Sequence, residues 1–403
     1  MRKRRQFAGV IASVFPLSRE VFCNSRGGGN FVAIASRLHY DSICSCCPYL
    51  CSWIEPDRKC PSADESGVLT EASSAQRLFR MRLVSPAKVN LHLRVGPPSS
   101  DGFHPLLSWF CTIGLFDTLT LSRCAPSDAG RTETARTKTV RTETAQAAPN
   151  TTVIRLSTDV SDLPTDDRNL IVRVAKALAD TSGPDSTARR DEVSAFLEKR
   201  IPMGAGLGGG SSNAATALLG LNNLWGIGWS AQRLSDFSRS FGSDIPFFFH
   251  GPSSICTGRG EIVRPIAPPR ARWAVVMLPR IHMTTPAVYR RFDEMKLGEQ
   301  STINAEPDWN AWSQLISINL LPRLVNDLES PAFSLSPELR ELHQRVEQAL
   351  GRIVRMSGSG SSLFTLFDSQ HEAEQAAAKV RDQLNVSTQA LELAPKQSGD
   401  LHV

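Results

Sequence analysis

The chain has 403 residues, a formal net charge of +5, 41% hydrophobic and 7% aromatic content, which is ordinary for a globular enzyme of two or three domains. No apolar stretch approaches the ~20 residues that a membrane helix needs. The modest, dispersed positive charge leaves no nucleic-acid footprint and suits small anionic ligands instead.

Residues 1–80 read as an extension outside the fold. The first 40 residues carry seven Arg/Lys and one acid, Glu20. Six of the nine cysteines fall before residue 61, but Cys44, Cys46, Cys47 and Cys51 lack a paired Cys-x-x-Cys frame, so no zinc site is assigned. Cys111, Cys124 and Cys256 read as reduced thiols. The basic, acid-poor composition matches an organelle transit peptide. The alternative, preferred because no clear amphipathic helix is present, is an upstream stretch preceding a true start at Met81.

A first domain is expected over 81–268. Val84, Val89, Leu91, Leu93 and Val95 predict two short strands broken at Pro86, with Lys88 and Asn90 in and beside the break. Asp101-Gly-Phe103-His104 reads as a turn, and a strand is expected over 116–122. Residues 127–149 contain tandem five-residue units beginning at Arg131, Arg136 and Arg141, too short a period for a solenoid and too polar for a core. They are predicted to be a disordered insertion. A strand near 151–157, a helix over 168–180 and an alternating strand over 193–201 follow.

Next come Pro202, Met203, Gly204, Ala205, Gly206, Leu207, Gly208, Gly209, Gly210, Ser211 and Ser212, and then an Ala/Leu-rich helix over 211–224. Glycines remove the side chains that would keep an oxyanion from the backbone N–H groups, and the helix start adds its dipole. The spacing formally fits a dinucleotide fingerprint, but the required second strand with its acidic end is missing. A P-loop is excluded as well, because the loop ends Gly-Ser-Ser without a lysine. A cation for the phosphates must therefore come from elsewhere.

A helix is predicted over 230–240 and strands over 246–263, placing Asp244 either at the mouth of a buried strand or in an ordinary turn. Glu261, in Gly258-Arg259-Gly260-Glu261, reads equally well as structural. A second domain is expected over 269–390, with a strand at 273–278, helices near 309–320 and 337–350, strands at 352–356 and 362–367, a helix at 370–383, and a tail over 391–403.

Three segments in this order, Pro86-Ala-Lys88-Val-Asn90, the 202–212 loop and Met356-Ser-Gly358-Ser-Gly360-Ser-Ser-Leu-Phe364, resemble the signatures of the GHMP kinases. The resemblance implies an α+β fold with a ribosomal-protein-S5-like N-terminal domain and a ferredoxin-like C-terminal domain. It implies ATP, brought as its magnesium complex, on the 202–212 loop, with Lys88 and Asp244 catalytic. No protein carboxylate is assigned to the magnesium. Further matches at Asp101-Gly-Phe103-His104, Asp117-Thr118, Arg168-Asn-Leu-Ile171, Gly242-Ser-Asp244-Ile-Pro246 and Gly258-Arg-Gly-Glu261 narrow the resemblance. They imply phosphorylation of the 2-hydroxyl of 4-diphosphocytidyl-2-C-methyl-D-erythritol, in the non-mevalonate route to isoprenoid precursors. His104 would then meet the cytosine edge, Phe103 and Tyr289 its two faces, and Asn90 and Thr285 the remainder of the substrate. Relatives often carry tyrosine at the position of Phe103, a difference that keeps stacking and removes a hydroxyl. A homoserine or mevalonate kinase of the same family is the alternative, and a non-enzymatic relative would have lost Lys88 or Asp244. The expected partners are ATP and a small molecule, with neither nucleic acid nor membrane. The chain is expected to be a monomer or homodimer and cytoplasmic, with the plastid as alternative if residues 1–80 are a transit peptide.

Overall fold

A computed structural model describes the chain at residues 55–56, 78–124, 153–181 and 192–395. Most of the 1–80 extension, the Cys44 to Cys51 cluster, the 127–149 insertion and residues 396–403 lie outside the described residues.

The first sheet is built on two long antiparallel strands, β2 (Leu78–Val95) and β3 (Leu106–Cys124), with a two-residue edge strand, β1 (Glu55–Pro56), beside β2. Pro86 does not break β2. It sits at a bulge, where Pro86 faces Phe116 but Ala87 faces Ile113, so the ladder loses no donor to the missing N–H. A second register shift falls between Asn90 and His92. One bulged strand, beginning upstream of Met81, thus replaces the two short strands expected. The first half of β3 escaped sequence reading because Leu107, Trp109, Phe110, Cys111 and Ile113 are all buried, which erases the period-two signal.

The sheet continues with β4 (Ile154–Thr158), β5 (Val193–Glu198), β6 (Ser253–Thr257) and β7 (Ile262–Pro265). Its order is β1-β2-β3-β5-β4, with β6 on β3 and β7 on β6; only β4 and β5 run parallel. Two helices pack on it, α1 (Leu170–Asp180), capped by the Asn169 side chain, and α2 (Gly209–Leu224). Gly220 lets α2 lie close to the sheet, since a Cβ there would collide with the side chains of Leu83 and Leu121. α3 (Ala231–Ser238) leads to a 3-10 turn at Pro246–Phe249, not to the strand expected there. Pro246 starts that turn, and Phe247, Phe248 and Phe249 are all buried.

The second sheet has the order β11-β8-β10-β9, all antiparallel, from β8 (Trp273–Leu278), β9 (Arg355–Met356), β10 (Leu363–Phe367) and β11 (Ser387–Glu392). Numbered within the sheet this is 4-1-3-2, the ferredoxin-like arrangement. Between β8 and β9 lie α4 (Thr285–Glu294), α5 (Gln300–Asn304), α6 (Trp309–Ser313), α7 (Ser317–Leu320), α8 (Glu329–Leu335) and α9 (Pro337–Leu350); α10 (Gln370–Leu384) precedes β11. The single helix expected near 309–320 is split into α6 and α7, because Ile316 is extended and Asp368 caps α7, accepting from the Ser317 N–H at 2.9 Å and its hydroxyl at 2.8 Å. β11 crosses the expected 390/391 boundary, and the Ala394 N–H donates to the Thr112 carbonyl of β3 at 2.8 Å.

One hydrophobic cluster belongs to both sheets: Val89, Leu91 and Trp109 meet Ala274, Val276 and Phe364. Beside it His92 is buried, edge-on to Trp309 and Trp312, with ring centroids 5.5 Å away in each case. Burial, reinforced by the Arg94 charge, lowers its pKa to about 3.

The start of the glycine loop is held by a buried charge. Asp117 is fully buried on β3 and accepts the Arg200 and Ile201 N–H groups at 2.7 and 2.8 Å. It also accepts the Lys199 ammonium at 2.6 Å and the Asn213 amide of α2 at 2.9 Å.

Because unfolded His92 binds a proton below its ordinary pKa of 6.5 while folded His92 does so only near 3, stability falls as pH drops through 6.5. Between pH 8 and pH 5 this group removes roughly 2 kcal/mol, and His92→Leu is expected to flatten the denaturation-midpoint profile by about that amount. Asp117→Ala, which strands the Lys199 ammonium, is expected to cost about 3–5 kcal/mol in chemical denaturation, with partial recovery when Lys199→Met is added.

Candidate active site

The glycine loop is a row of backbone donors. Gly204, Gly206 and Gly208 have φ of +66°, +75° and +68°, a conformation that side chains resist. α2 starts at Gly209, not at Ser211 as expected, with Gly208 as its N-cap and no side-chain cap. The Ser212 N–H already bonds the Gly208 carbonyl at 2.9 Å, so the open end of the helix is presented by Gly209, Gly210 and Ser211. The Ser212 hydroxyl is buried there without a protein partner. Such an end attracts an anion through its N–H groups and its dipole.

The third signature packs directly on this loop. A Cβ on Gly206 would collide with the Ser357 carbonyl oxygen, so the two main chains touch only because the residue is glycine. The Ser357 hydroxyl donates to the Gly206 carbonyl at 3.0 Å, and the Ser362 N–H to that of Ala205 at 3.2 Å. Ala205 and Leu207 are buried in the cluster shared by the sheets, while Met203 is exposed and Pro202 half-buried. On the other side the Lys88 N–H donates to the Leu207 carbonyl at 2.9 Å.

The two bulges of β2 bracket Ala87 to Asn90, and within that stretch the strand's period of two puts Lys88 and Asn90 on the same face. Lys88 is 3% exposed, and its ammonium lies 3.1 Å from the Asp244 carboxylate, 2.6 Å from the Asn90 side-chain oxygen Oδ1 and 4.4 Å above the Phe110 ring. Asn90 is oriented by donating to the Ser108 hydroxyl at 3.0 Å, which itself donates to the His92 carbonyl at 2.6 Å. Gly208 leaves the space that the Lys88 stem fills, since a Cβ there would lie 2.9 Å from it. β2 thus brings a cation beside the glycine loop. Asp244 stays a third exposed, so the pair opens to solvent on the carboxylate side.

A second group stands at the ends of β2, β3 and α4. His104 is buried; its Nδ1 lies 2.8 Å from the Gly96 carbonyl, which can only accept, so Nδ1 carries the proton. Nε2 faces Asp293 at 3.3 Å, and the Tyr289 ring lies 5.3 Å away, tilted by 45°. Burial, with the Asp244 charge, pushes the Tyr289 phenol above its ordinary pKa and keeps it neutral. Phe103 is exposed, with the Arg259 guanidinium 3.8 Å from its ring centroid. The Thr285 hydroxyl meets that of Ser359 at 2.8 Å. Sequence reading missed the roles of Asp293, Ser108 and Phe110, which sit in ordinary helix and strand contexts, and of Lys199 and Asn213, whose partner Asp117 is distant in sequence.

Known proteins match this arrangement. The GHMP kinases N terminal domain matches residues 169–252 and the GHMP kinases C terminal domain residues 302–386. A Synechococcus 4-diphosphocytidyl-2-C-methyl-D-erythritol kinase is 36% identical over 319 residues, covering 76% of this chain and 94% of the relative. The chloroplastic enzyme of that name from Arabidopsis thaliana is 39% identical over 71% of this chain and 67% of its own. A crystal structure of 4-(cytidine 5'-diphospho)-2C-methyl-D-erythritol kinase superposes with a TM-score of 0.57 at 32% identity, covering 78% of this chain and all of that one. A mevalonate kinase structure, TM-score 0.52 at 9% identity, shares the fold alone. The chain belongs to the GHMP kinases, within the family of the 4-diphosphocytidyl-2-C-methyl-D-erythritol kinases.

Proposed function

We propose that the chain transfers the γ-phosphoryl group of ATP to the 2-hydroxyl of 4-diphosphocytidyl-2-C-methyl-D-erythritol. The observation that carries this reading is the buried Lys88 ammonium, 3.1 Å from Asp244 and pinned by its own N–H to the glycine loop. The loop and the open end of α2 take the phosphates. Asp244 accepts or orients the hydroxyl proton, and Lys88 holds that oxygen and the charge developing beside it. Positioning carries most of the rate, because the transition state of phosphoryl transfer is loose. No cluster of three acidic, His or Cys side chains suited to a metal occurs among the described residues. Magnesium is expected as the counter-ion of ATP, where it would shield phosphate charge, and the buried, unpartnered Ser212 hydroxyl at the start of α2 would offer it a protein oxygen.

The cytidyl specificity rests on His104. With Nδ1–H committed to Gly96, Nε2 and the Asp293 carboxylate beside it are left for the base, the carboxylate oxygens serving as acceptors for the amino group of cytosine. Phe103 and Tyr289 supply aromatic faces, with Asn90 and Thr285 reaching the rest of the substrate. Homoserine or mevalonate would leave these acceptors unused. No described helix is long and apolar enough to cross a membrane. For localisation, the chloroplastic relative keeps the plastid alternative beside the cytoplasmic one.

An ADP-release assay across cytidyl and non-cytidyl alcohols tests the reading. Activity is expected only with the cytidyl alcohol, and Asp244→Asn should lower kcat by about 10²–10⁴-fold while ATP binding persists. Equal turnover of mevalonate or homoserine would overturn the substrate, and undiminished activity of the variant would remove Asp244 from the chemistry. His104→Ala is expected to raise KM for the cytidyl alcohol by about tenfold or more and to leave KM for ATP unchanged.

A further inference from the structure

The turn between β6 and β7 has no part in the chemistry described, yet it borders both halves of the site. It is internally fixed: the Arg259 N–H donates to the Glu261 carboxylate at 2.6 Å, and the Gly260 N–H to the Thr257 carbonyl at 3.0 Å. It is also tied to the start of β3, where the Leu106 N–H donates to the Gly258 carbonyl at 2.8 Å. A Cβ on Gly260 would come within 3.7 Å of the Asp244 carboxylate, so the turn runs alongside that residue. From this rigid base Arg259 extends over the exposed Phe103 ring, its guanidinium 3.8 Å from the centroid, and forms an ion pair with Asp101. Asp101 in turn accepts the Phe103 N–H at 3.1 Å. Main chain and ring of Phe103 are thus held from two sides.

We infer that Arg259 is a positioning residue for substrate recognition: with Asp101 it clamps Phe103 so that one face of the ring is covered and the other is presented to the base. This deepens the reading given above and rests on it. An exposed phenylalanine on a glycine turn would otherwise sample several rotamers, and ordering it on binding would weaken affinity. A guanidinium stacked on the ring removes that disorder in the free protein, and its charge is balanced by Asp101. Phenylalanine lacks the hydroxyl through which a tyrosine could be tethered by a hydrogen bond, so at position 103 the ring itself is the only handle. The Phe103 N–H, then Arg259, lower the Asp101 pKa below the usual carboxylate value, keeping the pair charged at neutral pH.

The test is steady-state kinetics on the full chain with the cytidyl alcohol and ATP. Arg259→Ala is expected to raise KM for the alcohol about three- to tenfold, with kcat and KM for ATP within about twofold of the parent. Arg259→Lys, which keeps a charge but loses the planar stack, should fall between the two. On a Phe103→Ala background, Arg259→Ala should add less than about twofold, because its effect is exerted through the ring. Additive losses would overturn the inference and show that Arg259 contacts the substrate itself; an unchanged KM, or a loss confined to kcat, would overturn it as well. A parent protein inactive on the cytidyl alcohol would instead defeat the function proposed above.

Discussion

The buried Asp117 carboxylate is the interaction on which the site depends. A charge without solvent is costly unless every lone pair is used, and here two backbone N–H groups, a lysine and an asparagine use them. Those four donors come from the end of β5, the entry to the glycine loop and the first half of α2. Satisfying one carboxylate therefore fixes where the loop begins and where its helix starts. Gly209 completes the arrangement, since a Cβ there would press on Lys199 and Ile201.

From that anchor the loop is closed by main chain on both sides. β2 reaches it through the Lys88 N–H, and the 356–362 segment through Ser357 and Ser362. Asn326 secures that segment, its amide donating to the Met356 and Gly358 carbonyls at 2.8 Å each. The closest of these approaches, Gly206 against the Ser357 carbonyl, is possible only at glycine, and backbone contacts lose less on ordering than long side chains would. The glycine loop is therefore fixed from both sides, whereas Asp244 stays a third exposed.

Much of this was legible in the sequence because it is written in local chemistry. A glycine run before an Ala/Leu helix can be recognised without a partner, and the absence of a terminal lysine sent the search for a cation elsewhere in the chain, where the Lys88 stem lies beside Gly208. Where the reading failed, long-range packing overrode a local rule. Pro86 looked like a strand breaker, but a bulge removes the need for its N–H. The Phe run after Asp244 looked like a strand, and a 3-10 turn buries it instead. The 309–320 helix was split by Asp368, a cap no local pattern announces. His104 and Phe103 could be assigned to a base only by resemblance, whereas the Gly96 carbonyl that sets the His104 tautomer could be found only in three dimensions.

The position of the site between two sheets has a physical consequence. Lys88 stands on β2 and Asp244 between α3 and the 3-10 turn, while Tyr289 and Thr285 stand on α4 after β8 of the second sheet, so their separation is set by the cluster of Val89, Leu91 and Trp109 against Ala274, Val276 and Phe364. Phosphoryl transfer depends on alignment, and a displacement of about 1 Å can cost on the order of 100-fold in rate. A shared core of large, fully buried side chains resists such displacement because close-packed interiors deform little. The β6–β7 turn adds a shorter link, with Gly260 against Asp244 and Arg259 against Phe103. The glycine loop, the Lys88–Asp244 pair and the His104–Tyr289 group are thus located by separate pieces of the chain joined through one shared core, and alignment between them is set by how little that core deforms.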